Sequence, residues 1–530
     1  MGLMGLTTAH ADGSMQGMDL MEEVSLDRFA YLKRLSLDLR GRVPTFDEYM
    51  ALESQPDVSE ADIDAMLDSD GFLDVMEAYH RDLLWANVGN IDFVNFNWDL
   101  QRATVSGTQV WYLRRRSYLY RGTPQDNNSA SIPCGDWEQT EWNADGTPVA
   151  QVGEDGRRRE GWVWVEPYWS MGDPSMESPI RVCAWDAQES EVSTNGVACS
   201  SRRSSTEITC GCGPNLNWCG GVSGVNTEVT VGEQINDQML QVIRWVIESD
   251  RPYHEILTTN RSFVNGPLVH YYTYQSDLAS NVSLSPAPVD PIFLPQVEFN
   301  DYRWHEVIQG PEHSGILTSM NFLLRFQTNR ARVNRFYNAF LNSFFDASKG
   351  TDTEHCTDAG ANLKDRCECG KCHQNVEPWA AYWGRFKEQG AGYLDPAMFP
   401  DYNELCERCA TDPSLGCSTE CRENYVVETV PADHIPYLGQ LKPLEFLTES
   451  ERLNLEGGPQ LWVERSLYDG SLARGVVAKM WGRFMQRDFT GGKADTEIRD
   501  ELFRAFVNND YNVKALVKAI VTHPAYRRIR

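Results

Sequence analysis

The sequence predicts a mainly α-helical protein made of several helical modules, with an irregular, disulfide-rich insertion that contains short β-strands. Three observations lead there. Apolar residues recur every three or four positions in three separate stretches, as amphipathic helices require. Between the first two stretches that period is lost, and aromatic, Gly, Ser, Asn and Cys residues dominate. The fourteen cysteines are grouped, six within 134–219 and eight within 356–421.

Residues 1–20 read as a leader remnant or a disordered N-terminus. Gly2–Leu6 is a short apolar stub and Ala9-His10-Ala11 has the small-x-small form of a signal-peptidase site, but no positive region precedes it. Residues 21–100 form an N-terminal helical module. Leu26, Phe29, Tyr31, Leu32, Leu35 and Leu39 set the first helix, which Gly41 and Pro44 stop. Thr45-x-x-Glu48 is a capping box that starts the next, and Val75, Tyr79, Leu83 and Leu84 mark a third.

Residues 101–228 are the Cys- and Trp-rich insertion, where alternation in 161–166 indicates short strands. A central helical module spans 229–345. Its core positions are Ile235, Met239, Ile243, Val246 and Ile247, then Phe322, Leu323, Phe326, Val333, Phe336, Phe340 and Phe344. Residues 346–436 are polar, Cys-rich and irregular. Residues 437–530 return to helix through Val476–Met485, then Ile498, Leu502, Phe506, Val513, Leu516, Val517 and Ile520.

With 41% hydrophobic and 23% charged residues the chain is globular. No window approaches the ~18 uninterrupted apolar residues of a membrane helix. A formal charge of −28 argues against nucleic acid or an anionic membrane as partner, since phosphate contacts need surplus Lys and Arg. Such a surface suits solubility, a cationic partner or a saline exterior. The cysteine clusters point to disulfides and an oxidising compartment, the bacterial periplasm, exterior or cell surface.

One run carries specific chemistry, Cys369-Gly-Lys-Cys372-His373. Covalent haem attachment needs two thiols, one per vinyl group, and an axial nitrogen beneath the iron. Two cysteines three apart on one helical turn, with a histidine directly after the second, supply all three. A random chain of this composition would carry roughly 0.007 such runs. Cysteine clustering raises that several-fold, and the run remains rare. One covalent haem c is therefore expected. Two other readings compete: zinc held by Cys369, Cys372, Cys406 and Cys409, or disulfides alone.

For the opposite face of the iron the expected ligand is Met398, 25 residues past His373. His434 and His355 are alternatives, and a vacant position would permit peroxide or oxygen chemistry. Trp379, Tyr382 and Trp383 would wall the haem or serve as ordinary core. Cys210 and Cys212 cannot easily bridge each other, so their partners lie among Cys134, Cys183, Cys199 and Cys219. Asp488, Asp495 and Glu497 read as solvated loop charges, and His254, His270, His305 and His313 as structural histidines. No nucleophile elbow, phosphate loop or dinucleotide fingerprint occurs.

Several ordered segments resemble the large secreted cytochrome c-like proteins of planctomycetes and myxobacteria, whose modules largely lack an assigned function. Residues 29–46 resemble the family's opening Leu-Asp-Leu-x-Gly segment, departing from it at Val43. Arg251-Pro252-Tyr253 through Tyr272, Gly315–Thr318 with Asn329-Arg330, and Tyr511–Leu516 through Arg527 resemble later modules. After the Cys-x-x-Cys-His run the family's Asp-Pro-x-Gly is kept loosely as Glu377-Pro378, Ala380, Phe386 and Gly390. The resemblance implies a helical architecture with a cytochrome c-like haem module, and carries over only Cys369, Cys372 and His373.

The expected function is that of an exported monohaem cytochrome exchanging electrons with a redox partner, alone or within a larger multi-haem assembly. A haem enzyme of peroxidase or oxygenase type with an open distal side is the first alternative. A non-catalytic, disulfide-braced surface or assembly protein is the second.

Overall fold

The computed structural model describes residues 25–528 except 106, 114–133, 135–138, 145, 150, 153–157, 160, 208, 222–225, 280, 285–287, 290, 345–355, 357–358 and 413. The leader reading of 1–20 and His355 fall outside the described residues.

Helix α1 (Arg28–Arg40) begins at Asp27, whose carboxylate accepts from the amides of Phe29 and Ala30. It stops at Gly41, whose φ of 66° lies in the left-handed region that glycine enters most cheaply. The expected capping box forms: the Glu48 amide donates to the Thr45 hydroxyl at 3.2 Å and the Thr45 amide to the Glu48 carboxylate at 2.6 Å. It starts α2 (Phe46–Glu53), followed by α3 (Glu60–Leu67) and α4 (Asp70–Leu84). Their apolar faces bury Leu35, Leu39, Ile63, Phe72 and Met76 together.

The described part of the insertion is more ordered than its composition predicts. A hairpin of β1 (Asp99–Val105) and β2 (Thr108–Leu113) turns at Gly107. Strands β3 (Trp162–Val165), β4 (Ile180–Cys183) and β5 (Gly220–Gly221) complete a five-stranded sheet ordered β3-β4-β2-β1-β5. Three disulfides, Cys134–Cys183, Cys199–Cys210 and Cys212–Cys219, brace it. These partners fall within the set the sequence allowed.

Helix α5 (Thr227–Glu248) buries Ile235, Met239, Ile243, Val246 and Ile247, as its period predicts. Helix α6 (Asn329–Phe340) ends sooner than the apolar pattern suggests. Phe344 is 75% exposed rather than core, because the chain leaves the helix at Leu341 and Asn342 takes φ 46°. Helix α7 (Gly370–Ala380) opens the Cys-rich region. The C-terminal module is α8 (Glu449–Tyr468), α9 (Ser471–Met485), α10 (Lys493–Asn508) and α11 (Val513–Thr522).

One buried apolar cluster runs from Tyr31 to Tyr526, so the helical modules share a core. The first and last described residues close on each other. Ser25 pairs with Arg528, the Tyr31 hydroxyl donates to the Val521 carbonyl at 2.9 Å, and the Tyr526 hydroxyl donates to Asp38 at 2.6 Å. A second, smaller core of Leu394, Phe399, Tyr425, Leu441, Leu444 and Leu455 surrounds the Cys406–Cys421 disulfide. Among the described residues no helix is long and apolar enough to cross a membrane.

Arg332 of α6 is completely buried, and its guanidinium donates to backbone carbonyls. Nε meets the Phe326 carbonyl at 2.9 Å, and Nη2 the Lys387 carbonyl at 2.8 Å and the Leu323 and Gly390 carbonyls at 3.3 Å. Nη1 reaches the Phe386 carbonyl at 3.3 Å. Burial lowers its pKa to about 9, so it stays charged at neutral pH. Arg332→Leu should destabilise the protein by about 3 kcal/mol or more, because several buried carbonyls lose their donor. Chemical unfolding of variant and parent measures the loss, and an unchanged midpoint contradicts this role.

Three histidines of the core are held neutral. Burial pushes His80, His270 and His313 down from 6.5 to about 4, about 3 and about 3. Below 6.5 the unfolded chain binds protons that the folded chain refuses, so stability falls as pH drops through that range. The expected slope is about 1.4 kcal/mol per pH unit for each imidazole. Urea midpoints should be level from about pH 8 to 7 and decline toward pH 5; a level profile throughout would refute neutral burial.

Candidate functional site

Cys369 is the N-cap of helix α7, and the cap and first turn carry the whole Cys-Gly-Lys-Cys-His run. The amides of Cys372 and His373 both donate to the Cys369 carbonyl, at 3.1 and 3.0 Å, which fixes the two thiols and the imidazole on one turn. The Cys356–Cys367 disulfide anchors the segment just before it. Cys406 pairs with Cys421 and Cys409 with Cys417. Six disulfides thus take twelve of the fourteen cysteines, and the two left as thiols, both partly exposed, are Cys369 and Cys372. A tetrahedral site from Cys369, Cys372, Cys406 and Cys409 is therefore ruled out, since two of its four sulfurs are already bonded. Among the described residues no group of three or more His, Cys, Asp and Glu converges as a metal site.

His373, Glu377, Ala380 and Gly384 follow at three- and four-residue steps and share one face. Glu377 is the hub of that face. It accepts from His373 Nδ1 and, at 2.7 Å, from Nε of Arg330 on α6. With Nδ1–H committed to the carboxylate, the lone pair of His373 Nε2 is left to bind a metal or a proton. In the sequence, Glu377 stands out only as a loose match to an Asp-Pro pair. Its i+4 spacing from His373 was the signal that marked it as a partner.

Along the Glu377, Ala380 and Gly384 part of this face runs a cavity of about 660 Å³, which Cys369, Cys372 and His373 do not line. Glu377, Ala380, Ala381 and Gly384 line it from α7 and the turn after it; Asn362, Leu363 and Lys364 come from the preceding loop; Glu445, Phe446 and Leu447 come from the segment before α8. The walls are tied together. Gln374 Nε2 donates to the Lys364 carbonyl at 3.3 Å, and Lys364 Nζ to the Phe446 carbonyl and Glu451, both at 2.9 Å. Phe446 is held at φ 58°, a left-handed backbone that costs a bulky residue on the order of 1–2 kcal/mol.

Five cations (Arg202, Arg330, Lys364, Lys387, Lys442) and four carboxylates (Glu377, Glu388, Glu423, Glu445) border the cavity. On a chain of charge −28, that is a local reversal of sign. Lys387 Nζ donates to the Ser283 hydroxyl at 3.1 Å and lies 3.6 Å from Glu423; burial lowers its pKa against that carboxylate's pull. Gly390 lets the chain pass against Ser283, where a Cβ would stand 2.1 Å from the Ser283 carbonyl oxygen.

Other expected site residues are placed elsewhere. Met398 sits in a turn closed by its amide on the Asp395 carbonyl, is 68% exposed, and does not line the cavity. Trp379, Tyr382 and Trp383 face away from His373 and surround Trp462 at 5.1, 5.4 and 5.9 Å between ring centroids. They belong to the shared core, because the helical period puts them off the His373 face. His434 lies on a short helical turn over 432–437, its Nδ1 bonded to Glu445 and its ring 6.0 Å from Phe446. Asp495 is a buried loop brace rather than a solvated charge. It accepts from the Thr490 amide and hydroxyl at 2.7 Å and from Arg487 at 3.0 Å.

Compared with known protein families, curated proteins and solved structures, the chain shows no match to any of the three. The cysteine pattern has a direct chemical check. Oxidised protein carrying no covalent group, denatured in iodoacetamide without reductant, should gain two carbamidomethyl groups, on Cys369 and Cys372. Label on Cys406 or Cys409 in peptide mass spectra would overturn the pairing.

Proposed function

We propose that this chain is an exported monohaem cytochrome c-like protein that holds one haem c through Cys369, Cys372 and His373 and exchanges electrons with a redox partner. The pairing of the cysteines carries the reading. Twelve close into disulfides, and the pair spared is the one whose spacing and following histidine suit two vinyl groups and an iron.

The residues present fit the group. Both thiols and the imidazole share one helical turn, and Glu377 fixes the His373 tautomer that leaves Nε2 as the donor. The adjoining cavity offers room on the same helix face, with Leu363, Phe446 and Leu447 to exclude water. Arg202, Lys364, Lys387 and Lys442 at its border suit the two propionate carboxylates of a haem. Once attached, the haem supplies the one-electron couple of its iron. Arg330 and Glu377 would tune that couple by setting how strongly His373 donates.

Six disulfides favour an oxidising compartment, which is where c-type attachment also occurs, so periplasmic or extracellular placement belongs to the same reading. In it the chain would be a relative of the secreted planctomycete and myxobacterial cytochrome c-like proteins, and its acidic surface would favour a cationic redox partner.

The test is a pyridine haemochrome assay on protein made in a host with c-type maturation. One haem per chain, resistant to acid–acetone extraction and lost in Cys369→Ala/Cys372→Ala, is expected. Protein that matures with free thiols and no haem would refute the reading.

A further inference from the structure

We infer that the cavity beside α7 binds a small organic carboxylate with an apolar body, the carboxylate held by Arg202, Lys387, Lys442 and Asn424. This goes beyond the haem reading: Cys369, Cys372 and His373 do not line the cavity, and the ligand uses none of them. A volume of about 660 Å³ falls within the roughly 300–1,000 Å³ of small-molecule pockets. Its charges are unevenly matched. In one part they answer one another: Arg330 bonds Glu377 at 2.7 Å, Lys364 reaches Glu451 at 2.9 Å, Glu445 is bonded to His434, and Glu388 accepts from the Asn329 amide at 2.7 Å. There Leu363, Ala380, Ala381, Phe446 and Leu447 supply apolar wall.

The other part gathers around the short helix Thr419–Asn424. Lys442 Nζ donates to the Arg422 carbonyl at 2.6 Å, and the next residue, Glu423, lies 3.6 Å from Lys387. The charge of Arg202 reaches the same ammonium. Burial is the main cause lowering the Lys387 pKa, and Arg202 adds to it against the pull of Glu423 and Asp277. Arg202 places Nη1 on the Ala279 carbonyl at 3.3 Å. Neither Arg202 nor Lys442 has a carboxylate in ion-pair contact among the described residues. Three cations thus face Glu423 and Asp277, and at least one positive charge is left without a counter-charge. In a partly closed site that repulsion is unfavourable, and an anionic ligand relieves it.

Asn424 is the second sign of a missing partner. It lines the cavity, is 6% exposed, and its carboxamide bonds to none of the described residues. Buried amides are ordinarily paired, and a ligand oxygen accepting from its N–H groups would pair this one. Lys387 is already positioned: its side chain is 9% exposed and Nζ donates to the Ser283 hydroxyl at 3.1 Å. A carboxylate brings two acceptor oxygens and no donor, which suits two ammonium groups, a guanidinium and an amide.

Isothermal titration of the full-length protein with octanoate, octanamide and octylamine tests the inference. Octanoate should bind, one molecule per chain, and the neutral and cationic analogues should not. Butanoate should bind at least about tenfold more weakly, because it buries fewer methylenes. Arg202→Gln and Lys442→Gln should each weaken octanoate about tenfold with an unchanged unfolding midpoint. Asn424→Asp, which sets a like charge against the carboxylate, should abolish binding. No octanoate binding, equal binding of octylamine or octanamide, or unchanged affinity in both charge variants overturns the site. Tighter binding of octyl phosphate overturns the carboxylate head. The titration is run on haem-loaded protein and on Cys369→Ala/Cys372→Ala, and equal binding in both supports a ligand separate from the haem. Octanoate bound only by the thiol-free variant would give these cations to the propionates, which overturns this inference and leaves the haem reading standing. A parent that binds octanoate but carries no covalent haem overturns the haem reading alone.

Discussion

The guanidinium of Arg332 is the constraint on which the site depends. It is buried, with the charge of Glu388 only partly offsetting the burial, and its hydrogen bonds go to Asn329 Oδ1 at 2.7 Å and otherwise to backbone carbonyls. Those carbonyls come from two places, the end of the 320–326 turn and the 386–390 strip. The strip continues from α7, so one side chain clasps α7 and its following turn to α6. Two residues earlier on α6, Arg330 reaches Glu377, and Glu377 reaches His373. A buried cation needs many good acceptors to offset its desolvation. That demand fixes the 386–390 backbone, and the backbone fixes where α7 presents its imidazole.

Helix α7 then divides two environments by period alone. Its aromatic side closes on Trp462 and Phe336 and merges with the common core. The opposite side carries His373, Glu377 and two small positions, Ala380 and Gly384, which leave space instead of filling it. Behind the core, Arg465 bonds the Tyr382 hydroxyl at 2.6 Å and Asn454 at 2.7 Å, and Asn454 donates to the Pro378 carbonyl at 2.8 Å. The Pro378 carbonyl, in the last turn of α7, is thereby tied to α8.

Short-range features were legible in the sequence. The Thr45 capping box, the stop at Gly41, the period of α5 and the Cys-Gly-Lys-Cys-His turn each depend on residues a few positions apart. Within an insertion expected to be irregular with short strands, the alternation in 161–166 is visible and the β1–β2 hairpin is not, although Gly107 offers a turn signal. Phe344 misled because an apolar period does not show where a helix loses its cap. Arg332 looked like any basic residue in Asn-Arg-Ala-Arg, since burial of a charge follows from contacts 54 to 58 residues away. The same distance problem concealed the link from His434 to the cavity, which runs through Glu445 and Phe446 rather than through neighbours of the motif.

The disulfides are nearly all short-range: their sequence separations are 7, 8, 11, 11, 15 and 49 residues. Bridges that close such small loops form from whatever stretch of chain has emerged, long before the shared core can assemble. Cys367 reaches back to Cys356, leaving Cys369 two positions on and Cys372 five, both within easy reach of a wrong partner. The molecule therefore faces a problem of timing as much as of shape. While these bridges form, the two spared thiols must be kept from joining them as their neighbours are cross-linked around them.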